Sequence, residues 1–371
     1  MALESTAEAP AVDLGTRLLS YEKFWRDHYT WLQTCGYTLR PRYHPEWVPS
    51  WKGTKKNWVF CEDAQDFPLR QIIDATRALN GELVALKKLS KTDHPYEVEI
   101  CQFFSSAPMA NDPQNHCIPI YEVLQVPDDE DLVLLVMPFT RPFWNPRFDT
   151  FGEVIAFFQQ IFEGLHFMHK NLVAHRDCNS VNIMLDPRPL YPNSFHPVDK
   201  GRSRDYKGIA KHFTRTQRPS KYYLIDFGIS RRYGPDDDPS DEDIIVGGDK
   251  SPPEFDSGKM ERTNYKCNPF HTDIYYLGNM IRNNFIQSSK GFDFMEPLVA
   301  DMRQEDPTKR PTIDEVLGRF AEIRRSLSGW KLRSRVVKND DSSFVGFFRT
   351  LAHWRRRLWF ILRRVPAVPL P

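Results

Sequence analysis

Hydrophobic positions recur along this chain with two different periods, which separate predicted helices from predicted strands. Between residues 19 and 39, apolar and aromatic residues recur at helical spacing, and Gly36 is expected to end that helix. A longer and mostly apolar helical pattern covers 151–171. The apolar runs on either side of Asn80-Gly81 predict a β-hairpin, because this dipeptide suits a tight two-residue turn.

Four further short runs are typical of strands. Residues 118–124 and 132–137 are apolar runs joined by an acidic turn, and they predict a second antiparallel pair. Residues 183–185 and 222–225 are shorter apolar segments. Polar residues that suit chemistry stand at the ends of this last pair.

The order of those polar residues is typical of phosphoryl transfer. His175-Arg176-Asp177 precedes Asn182, and the strand pattern at 222–225 ends on Asp226-Phe227-Gly228. A Mg-nucleotide phosphoryl-transfer site needs two acids and an amide of this kind. We expect Asp177 to accept or orient a substrate hydroxyl, and Asn182 and Asp226 to hold Mg²⁺.

With these motifs, the region 79–317 resembles a eukaryotic protein kinase. The resemblance implies an α+β, bilobal protein kinase-like fold, with a small β-rich N-lobe and a mainly helical C-lobe shortened after the central helix. The domains predicted are an N-terminal leader at 1–59, a kinase-like domain at 60–328 and a basic amphipathic tail at 329–371. The leader block at 39–51, rich in proline and aromatics, is similar to that of a kinase-like family of mushroom-forming fungi.

The resemblance also assigns residues on the nucleotide side of the site. Lys87 ends a Val-Ala-Leu-Lys segment that looks like the strand whose lysine grips the phosphates. Glu99, in a helix-compatible stretch, best fits the glutamate that pairs with that lysine, and Glu97 is the alternative. Met137 and Phe139 stand where a kinase hinge lines the adenine pocket. ATP and Mg²⁺ are the cofactors implied.

Three later residues resemble structural landmarks of the large lobe. Glu254, in Pro-Pro-Glu, matches the glutamate that closes the activation segment, the stretch that follows Asp226-Phe227-Gly228. Arg310 is expected to form a buried ion pair with it. Asp273 matches the aspartate of the central helix that holds the backbone of the catalytic loop.

The chain departs from the kinase pattern at three places. The phosphate-covering loop is expected at 65–70, which contains no glycine, although glycines let backbone N–H groups approach the phosphates. Asn179 stands where Ser/Thr kinases usually have a lysine, so one cation is missing. The stretch between Asp273 and Arg310 is short, and a helix that commonly docks peptide substrates is expected to be trimmed.

The leading interpretation is a Ser/Thr protein kinase, a transferase that moves the γ-phosphoryl group of ATP to a hydroxyl of a protein substrate. Two alternatives stay open. A pseudokinase, which binds nucleotide or scaffolds partners with little turnover, is favoured by the missing glycines and by Asn179. A kinase of small molecules is favoured by the short stretch after the central helix.

Composition limits the partners and the cellular location that we expect for the protein. The net charge is +1, which gives the whole chain no general attraction to nucleic acid. Six cysteines show no zinc or CxxC spacing, so we expect reduced thiols in a cytoplasmic or nuclear protein.

Residues 1–18 are expected to be disordered and lack the pattern of a signal peptide. No apolar run is long enough to span a membrane. No oligomeric state is predicted.

A basic segment lies inside the predicted site region. Residues 199–221, between Asn182 and Asp226, carry eight Lys or Arg residues, and the activation segment beyond them is rich in aspartate. We expect Arg176 and this insert to clamp the acidic segment in place of a phosphate. Binding of nucleic acid by the insert is the less favoured alternative.

The tail at 331–371 is strongly basic. It has ten Lys or Arg residues against two Asp, and its apolar residues fall on one helical stripe that Pro366 ends. A basic amphipathic helix over 331–365 suits the surface of an anionic membrane. Packing of the stripe on the protein itself, or binding of an acidic partner, is favoured slightly more.

Overall fold

The protein is described from a computed structural model, which describes residues 17–245, 247–256 and 266–371. The predicted disorder at 1–18 therefore lies almost wholly outside the described residues. Contacts divide the chain into two units: unit 1 comprises residues up to 87 together with 193–211, and unit 2 comprises 88–192 and 212–371. The predicted boundaries at 59/60 and 328/329 do not coincide with this division.

Both units mix helices with antiparallel strands. The helices are α1 (Ser20–Asp27), α2 (Tyr29–Thr34), α3 (Glu97–Ser105), α4 (Phe151–Lys170), α5 (Pro269–Ile281), α6 (Glu296–Met302), α7 (Ile313–Ser326), α8 (Gly329–Leu332) and α9 (Ser343–Leu362). The strands are β1 (Tyr37–Thr38), β2 (Ile72–Arg77), β3 (Leu83–Ser90), β4 (Glu122–Gln125), β5 (Leu132–Pro138), β6 (Arg141–Pro142), β7 (Val173–Ala174), β8 (Ile183–Leu185), β9 (Tyr222–Leu224) and β10 (Arg231–Arg232). None of the helices in the described ranges is long and apolar enough to cross a membrane.

In unit 1, strand β1 of the leader adds a third strand to the first hairpin. Strand β2 pairs with both β1 and β3 in antiparallel register, so the hairpin predicted at Asn80-Gly81 is confirmed. The single helix predicted at 19–39 is instead two, α1 and α2, because the backbone leaves helical geometry at His28. Gly36, at φ +87°, follows α2 in a conformation that favours glycine, as expected.

Charged side chains fasten the leader inside unit 1. Arg42 donates to Glu22 at 2.7 and 2.9 Å with both side chains almost fully buried. Arg40 donates to both carboxylate oxygens of Asp74 on β2, and that aspartate is also buried. His196, which precedes the insert, lies 3.1 Å from Glu62. The leader and the segment before the insert are therefore joined by contacts within unit 1.

The described part of unit 2 contains short antiparallel strand pairs and a helical core. Strands β4 and β5 form an antiparallel pair, β8 pairs with β6 and β9, and β7 pairs with β10. Helix α4 is buried along most of its length, as its all-round apolar pattern predicts. Its Phe157 stacks on Phe143, with ring centroids 4.6 Å apart, and Phe158 meets Phe285 edge-on. This aromatic core supports the strands that carry the site.

Two predicted landmarks of unit 2 are confirmed. Arg310 donates two hydrogen bonds of 2.7 Å to Glu254, and both side chains are fully buried. Thr272, on α5, donates to the same carboxylate at 2.8 Å. Asp273, the next residue of α5, accepts hydrogen bonds from the backbone N–H groups of His175 and Arg176.

Candidate active site

The antiparallel pair β8–β9 places the two predicted metal ligands at one end of a short ladder. Ile183 is paired with Leu224, and the N–H of Ile225 donates to the carbonyl of Asn182 at 3.0 Å. Asn182 and Asp226, which flank this paired end, are therefore brought together although 43 residues separate them in the sequence. Asp226 adopts φ +66°, a left-handed conformation that a non-glycine residue holds only where its surroundings impose it.

The loop at 175–182, which is predicted to be catalytic, is held from three sides. Asp273 accepts from the N–H groups of His175 and Arg176 at 2.8 and 2.7 Å. The ring of His175 lies 3.1 Å from the carbonyl of Ile225, which ties the loop to the residue before Asp226. Ser230 donates to the carbonyl of His175 at 2.8 Å. Three elements thus determine the conformation of the loop, including the left-handed φ of +68° at Arg176.

The carboxylate of Asp177 accepts hydrogen bonds on both oxygens. Oδ1 accepts from the side-chain amide of Asn179 at 2.7 Å and from the backbone N–H of Asp249 at 3.2 Å. Oδ2 accepts from the side-chain amide of Asn182 at 2.8 Å. Burial raises the pKa of the Asp177 carboxyl above its ordinary value, and the donated hydrogen bonds counteract this only in part. A raised pKa makes the carboxylate a stronger base.

The side chain of Asn182 is oriented by the same contacts. Its Nδ2 donates to the carbonyl and to the carboxylate of Asp177, at 2.9 and 2.8 Å. This fixes the amide so that its oxygen is directed away from Asp177. An amide oxygen and the nearby exposed carboxylate of Asp226 are oxygen ligands that suit Mg²⁺, which binds through one or two protein ligands and substrate phosphates. The residues present therefore fit the implied metal.

The structure separates the two glutamates proposed to pair with Lys87. Glu97 is 1% exposed, whereas the side chain of Glu99 is 61% exposed and lies 3.6 Å from Arg232. A Cβ built on Gly228 would lie 3.2 Å from Glu97 Oε2 and 3.4 Å from Asp226 Oδ1. Glu97, rather than Glu99, thus lies beside the Asp226-Phe227-Gly228 motif, and the pairing of either glutamate with Lys87 stays a prediction.

The sequence contained a signal for this difference in burial. Glu97 shares one helical face with Ile100, Cys101 and Phe104, which follow it at three, four and seven residues, and all four are buried in α3. The resemblance to the kinase motif favoured Glu99, but helical periodicity places Glu97 on the inner face.

The other predicted nucleotide-side residues lie on two strands. Lys87 pairs in register with Ile72 of β2, within unit 1. Met137 is the penultimate residue of β5 in unit 2 and is partly buried. Phe139 follows β5 and is 6% exposed. The assignment of these three residues to nucleotide binding stays a prediction.

The segment that replaces the glycine loop is pinned to unit 1. The hydroxyl of Tyr21 donates to Asp66 at 2.9 Å, and Arg40 donates to the carbonyl of Gln65 at 2.6 Å. Phe67 is 7% exposed. A glycine loop approaches phosphates through mobile backbone, and this segment is instead anchored by side chains.

The activation segment is held by cations outside the basic insert. Arg176 donates to Glu242 at 3.1 Å and to the carbonyl of Asp243 at 3.0 Å. Lys266 pairs with the Asp243 carboxylate at 2.8 Å. The predicted role of Arg176 is thus observed.

Two arginines of the insert have partners outside the activation segment, and the clamp by the rest of the insert stays a prediction. Arg204 donates to Thr76 within unit 1, and Arg215 donates to the carbonyls of Phe143 and Arg147 within unit 2. These arginines satisfy backbone and hydroxyl acceptors of the fold. The arrangement accounts for their retention without an acidic loop as partner.

Comparison with known proteins gives partial matches to protein kinases, and no family model matches the chain. NUAK family SNF1-like kinase 1 of Homo sapiens is 31% identical over 123 residues, which cover 30% of this chain and 18% of that protein. SNF1-related protein kinase catalytic subunit alpha KIN12 of Arabidopsis thaliana is 31% identical over 132 residues, covering 33% and 24%. Mitogen-activated protein kinase kinase kinase A of Dictyostelium discoideum is 33% identical over 73 residues, covering 19% and 7%.

The chain thus spans less than a quarter of the length of these relatives. The similarity supports the predicted protein kinase-like superfamily, and the mixed α/β architecture with antiparallel sheets is compatible with that fold. The narrower resemblance to a fungal family stays a prediction.

Proposed function

We propose that this protein is a Ser/Thr protein kinase that uses Mg-ATP. The observation that carries the proposal is the hydrogen-bonded arrangement of Asp177 and Asn182, with Asp226 at the same end of the β8–β9 pair. Mg²⁺ bound there would neutralise charge on the phosphates. Similarity to protein kinases over about a third of the chain supports a protein as the substrate.

In this proposal Asp177 receives the proton of the substrate hydroxyl. Its pKa, raised by burial, favours that role, because a stronger base takes a proton more readily. Asn179 and Asn182 hold the carboxylate from two sides, so its orientation is set before substrate arrives. Asn182 and Asp226 would hold the metal, and Lys87 would bind phosphate, as the resemblance to kinases implies.

The decisive experiment compares two conservative variants. Asp226→Asn is expected to abolish Mg-dependent ATP binding, measured by calorimetry with and without magnesium. Asp177→Asn is expected to retain binding and to lower kcat by about 10²–10⁴-fold, since it removes a base and leaves the metal ligands. Asp340→Asn is the control, because that side chain is 73% exposed. Unchanged binding and turnover in both site variants would exclude the roles proposed for Asp177 and Asp226.

A pseudokinase is the second candidate, and the anchored segment at 65–70 favours it. Phe67 is buried and Asp66 is bonded to Tyr21, so the segment offers the phosphates no glycine-like backbone. Calorimetry together with a turnover assay separates the candidates, because a wild-type chain that binds no Mg-ATP, or binds it without turnover, is not a kinase. Turnover of small hydroxyl compounds, with none of a generic protein, would instead favour a small-molecule kinase.

A further inference from the structure

Helix α9 presents its apolar side to solvent. Phe344 is 75% exposed, Leu351 62%, Leu358 57% and Leu362 83%, and these residues follow one another on a single stripe of the helix. Phe347 beside them is 65% exposed. Packing of this stripe on the protein, one of the two alternatives that the sequence slightly favours, is not observed for these residues.

The side of α9 that faces the protein carries two polar residues and one aromatic residue. His353, Arg357 and Phe360 are 3%, 5% and 3% exposed. Arg356 donates to both oxygens of Asp149 at 2.9 and 3.0 Å, and His353 lies 3.4 Å from the same carboxylate. These contacts fix the rotation of the helix about its axis. The outward stripe is therefore determined by polar contacts on the opposite side.

Arg357 joins the helix to a second exposed aromatic residue. Its guanidinium lies 3.7 Å from the ring centroid of Trp330 and 4.9 Å from that of Trp354. Trp330 is 66% exposed and Trp354 is 42% exposed. The cation between them holds both indole rings at the edge of the apolar stripe. Indole rings at such an edge suit the boundary between lipid headgroups and acyl chains.

The charge of the stripe identifies its occupant. From Ser342 to Pro371 the sequence has no Asp or Glu, and Arg355, Arg363 and Arg364 are exposed. Arg355 lies inside the apolar stripe, because Leu351 precedes it by four residues and Leu358 follows it by three. A surface that buries this stripe must supply apolar groups and anions at the same depth.

We propose that α9 binds the surface of an anionic lipid bilayer, lying in the plane of the headgroups. Acyl chains would cover the outward leucines and phenylalanines, and lipid phosphates would pair with the three arginines. A second copy of the chain is a poorer occupant, because symmetric contact of two such stripes brings like charges together. The inference does not depend on kinase activity.

The test is co-sedimentation of the full chain with vesicles, with three variants that each lower the net charge by three. The first replaces Leu351, Leu358 and Leu362 by Glu, and the second replaces Arg355, Arg363 and Arg364 by Gln. The control replaces Val48, Leu79 and Ile209 by Glu, three residues of unit 1 that are 64%, 81% and 79% exposed. All nine positions are exposed, so the fold is expected to tolerate the changes, which thermal unfolding checks.

The wild type and the control are expected to pellet with vesicles of phosphatidylcholine and phosphatidylserine, and to stay in solution with phosphatidylcholine alone. Removal of the three arginines is expected to weaken binding about a hundredfold, at about 1 kcal/mol for each cation near an anionic surface. Raising the salt from about 0.1 to about 1 M should release the protein. The leucine variant should also remain in the supernatant.

Three results would overturn the proposal. The first is a wild-type chain that stays in solution with anionic vesicles at low salt. The second is loss of pelleting in the control variant to the same extent as in the leucine variant, which would make net charge the cause. The third is a wild-type dimer, seen by analytical ultracentrifugation without lipid and abolished by the leucine variant, which would assign the stripe to a second copy.

Discussion

At the scale of single residues, Asn179 is the position where this site differs most from a Ser/Thr kinase. Its amide donates to Asp177 at 2.7 Å, and its own oxygen accepts from the N–H of Val181 at 2.9 Å. The position therefore keeps a donor to the carboxylate of Asp177, without a positive charge. The sequence lacks the usual lysine at this position. The hydrogen bond from Asn179 partly replaces the contact that a lysine would make.

Asn179→Lys is expected to raise kcat about tenfold, because a cation stabilises charge that develops on the transferred phosphoryl group. The same cation should lower the pKa of Asp177, so the acidic limb of the pH–rate profile should move to lower pH. The acidic limb moves in this direction because the ionised carboxylate is the active form and the rate falls as pH drops through its pKa. Asn179→Ala loses both hydrogen bonds and controls for the loss of the contact to Val181. A lysine variant no faster than the alanine variant would contradict the expectation.

Glu97 and Glu99 form a matched pair for a second test. Glu97→Gln is expected to lower kcat/KM for ATP by about 10–100-fold, the cost of one transition-state contact of about 1.4–2.8 kcal/mol. Glu99→Gln should change it less than about threefold, because that side chain is exposed and its partner Arg232 is also exposed. Steady-state kinetics at varied ATP gives both values. A larger effect at Glu99 would restore the original assignment.

At the scale of elements, the ion pair between Glu254 and Arg310 joins the end of the activation segment to the residues before α7. Arg310→Met is expected to destabilise the fold by about 3–5 kcal/mol, because it leaves a fully buried carboxylate without its partner. Urea unfolding of the variant beside wild type measures this. Arg319→Met is the control, since its ion pair with Asp301 is half exposed and should contribute at most about 1 kcal/mol.

The ion pair between Glu254 and Arg310 should also make the stability of the fold depend on pH. Burial alone would raise the pKa of Glu254, but the hydrogen bonds and charge of Arg310 outweigh it and hold the pKa below its ordinary value. The stabilisation is therefore fully present above the pKa of the unfolded chain, near 4.3, and is lost as pH falls through the lower folded value. The difference in stability between wild type and Arg310→Met should shrink with falling pH over that window.

The activation segment depends on a second, less buried pair. Arg176 and Glu242 are 12% and 17% exposed, so solvent screens their contact less than it screens a surface pair. Glu242→Gln should increase cleavage within residues 234–245 by several-fold in limited proteolysis, because the segment loses its ion pair. Asp236→Asn, an exposed acid of the same segment, is the control. Equal cleavage in the two variants would remove Glu242 as a substitute for phosphate.

Local patterns in the sequence predicted the helices and strands well. Contacts between residues far apart in the sequence could not be predicted from these patterns. The hairpin at Asn80-Gly81, helix α4 and the pair β8–β9 follow from periodicity and turn chemistry, which act over a few residues. Periodicity also showed which residues of the tail share a stripe. It gave no information on which side would dock, because Asp149, which decides this, lies about two hundred residues earlier in the chain.

At the scale of the whole molecule, the leader belongs to unit 1 and is not an appendage of it. Arg40 connects the leader to Asp74 of β2 and to the carbonyl of Gln65, and its side chain is 11% exposed. Asp74 is 1% exposed, so its charge depends on this partner. A leader attached in this way should contribute to the stability of the sheet that carries Lys87.

Arg40→Met is therefore expected to lower the free energy of unfolding by about 3–5 kcal/mol, since it leaves Asp74 as an uncompensated buried charge. The double variant Arg40→Met with Asp74→Leu should recover most of that loss, because replacing both partners removes the buried charge as well. Arg26→Met is the control, as its pair with Asp27 is 37% and 56% exposed and should contribute less than about 1 kcal/mol. Urea unfolding followed by tryptophan fluorescence gives all three values. If Arg40→Met matched Arg26→Met, the leader would be a loosely attached segment, and its contacts with β2 would contribute little to the fold.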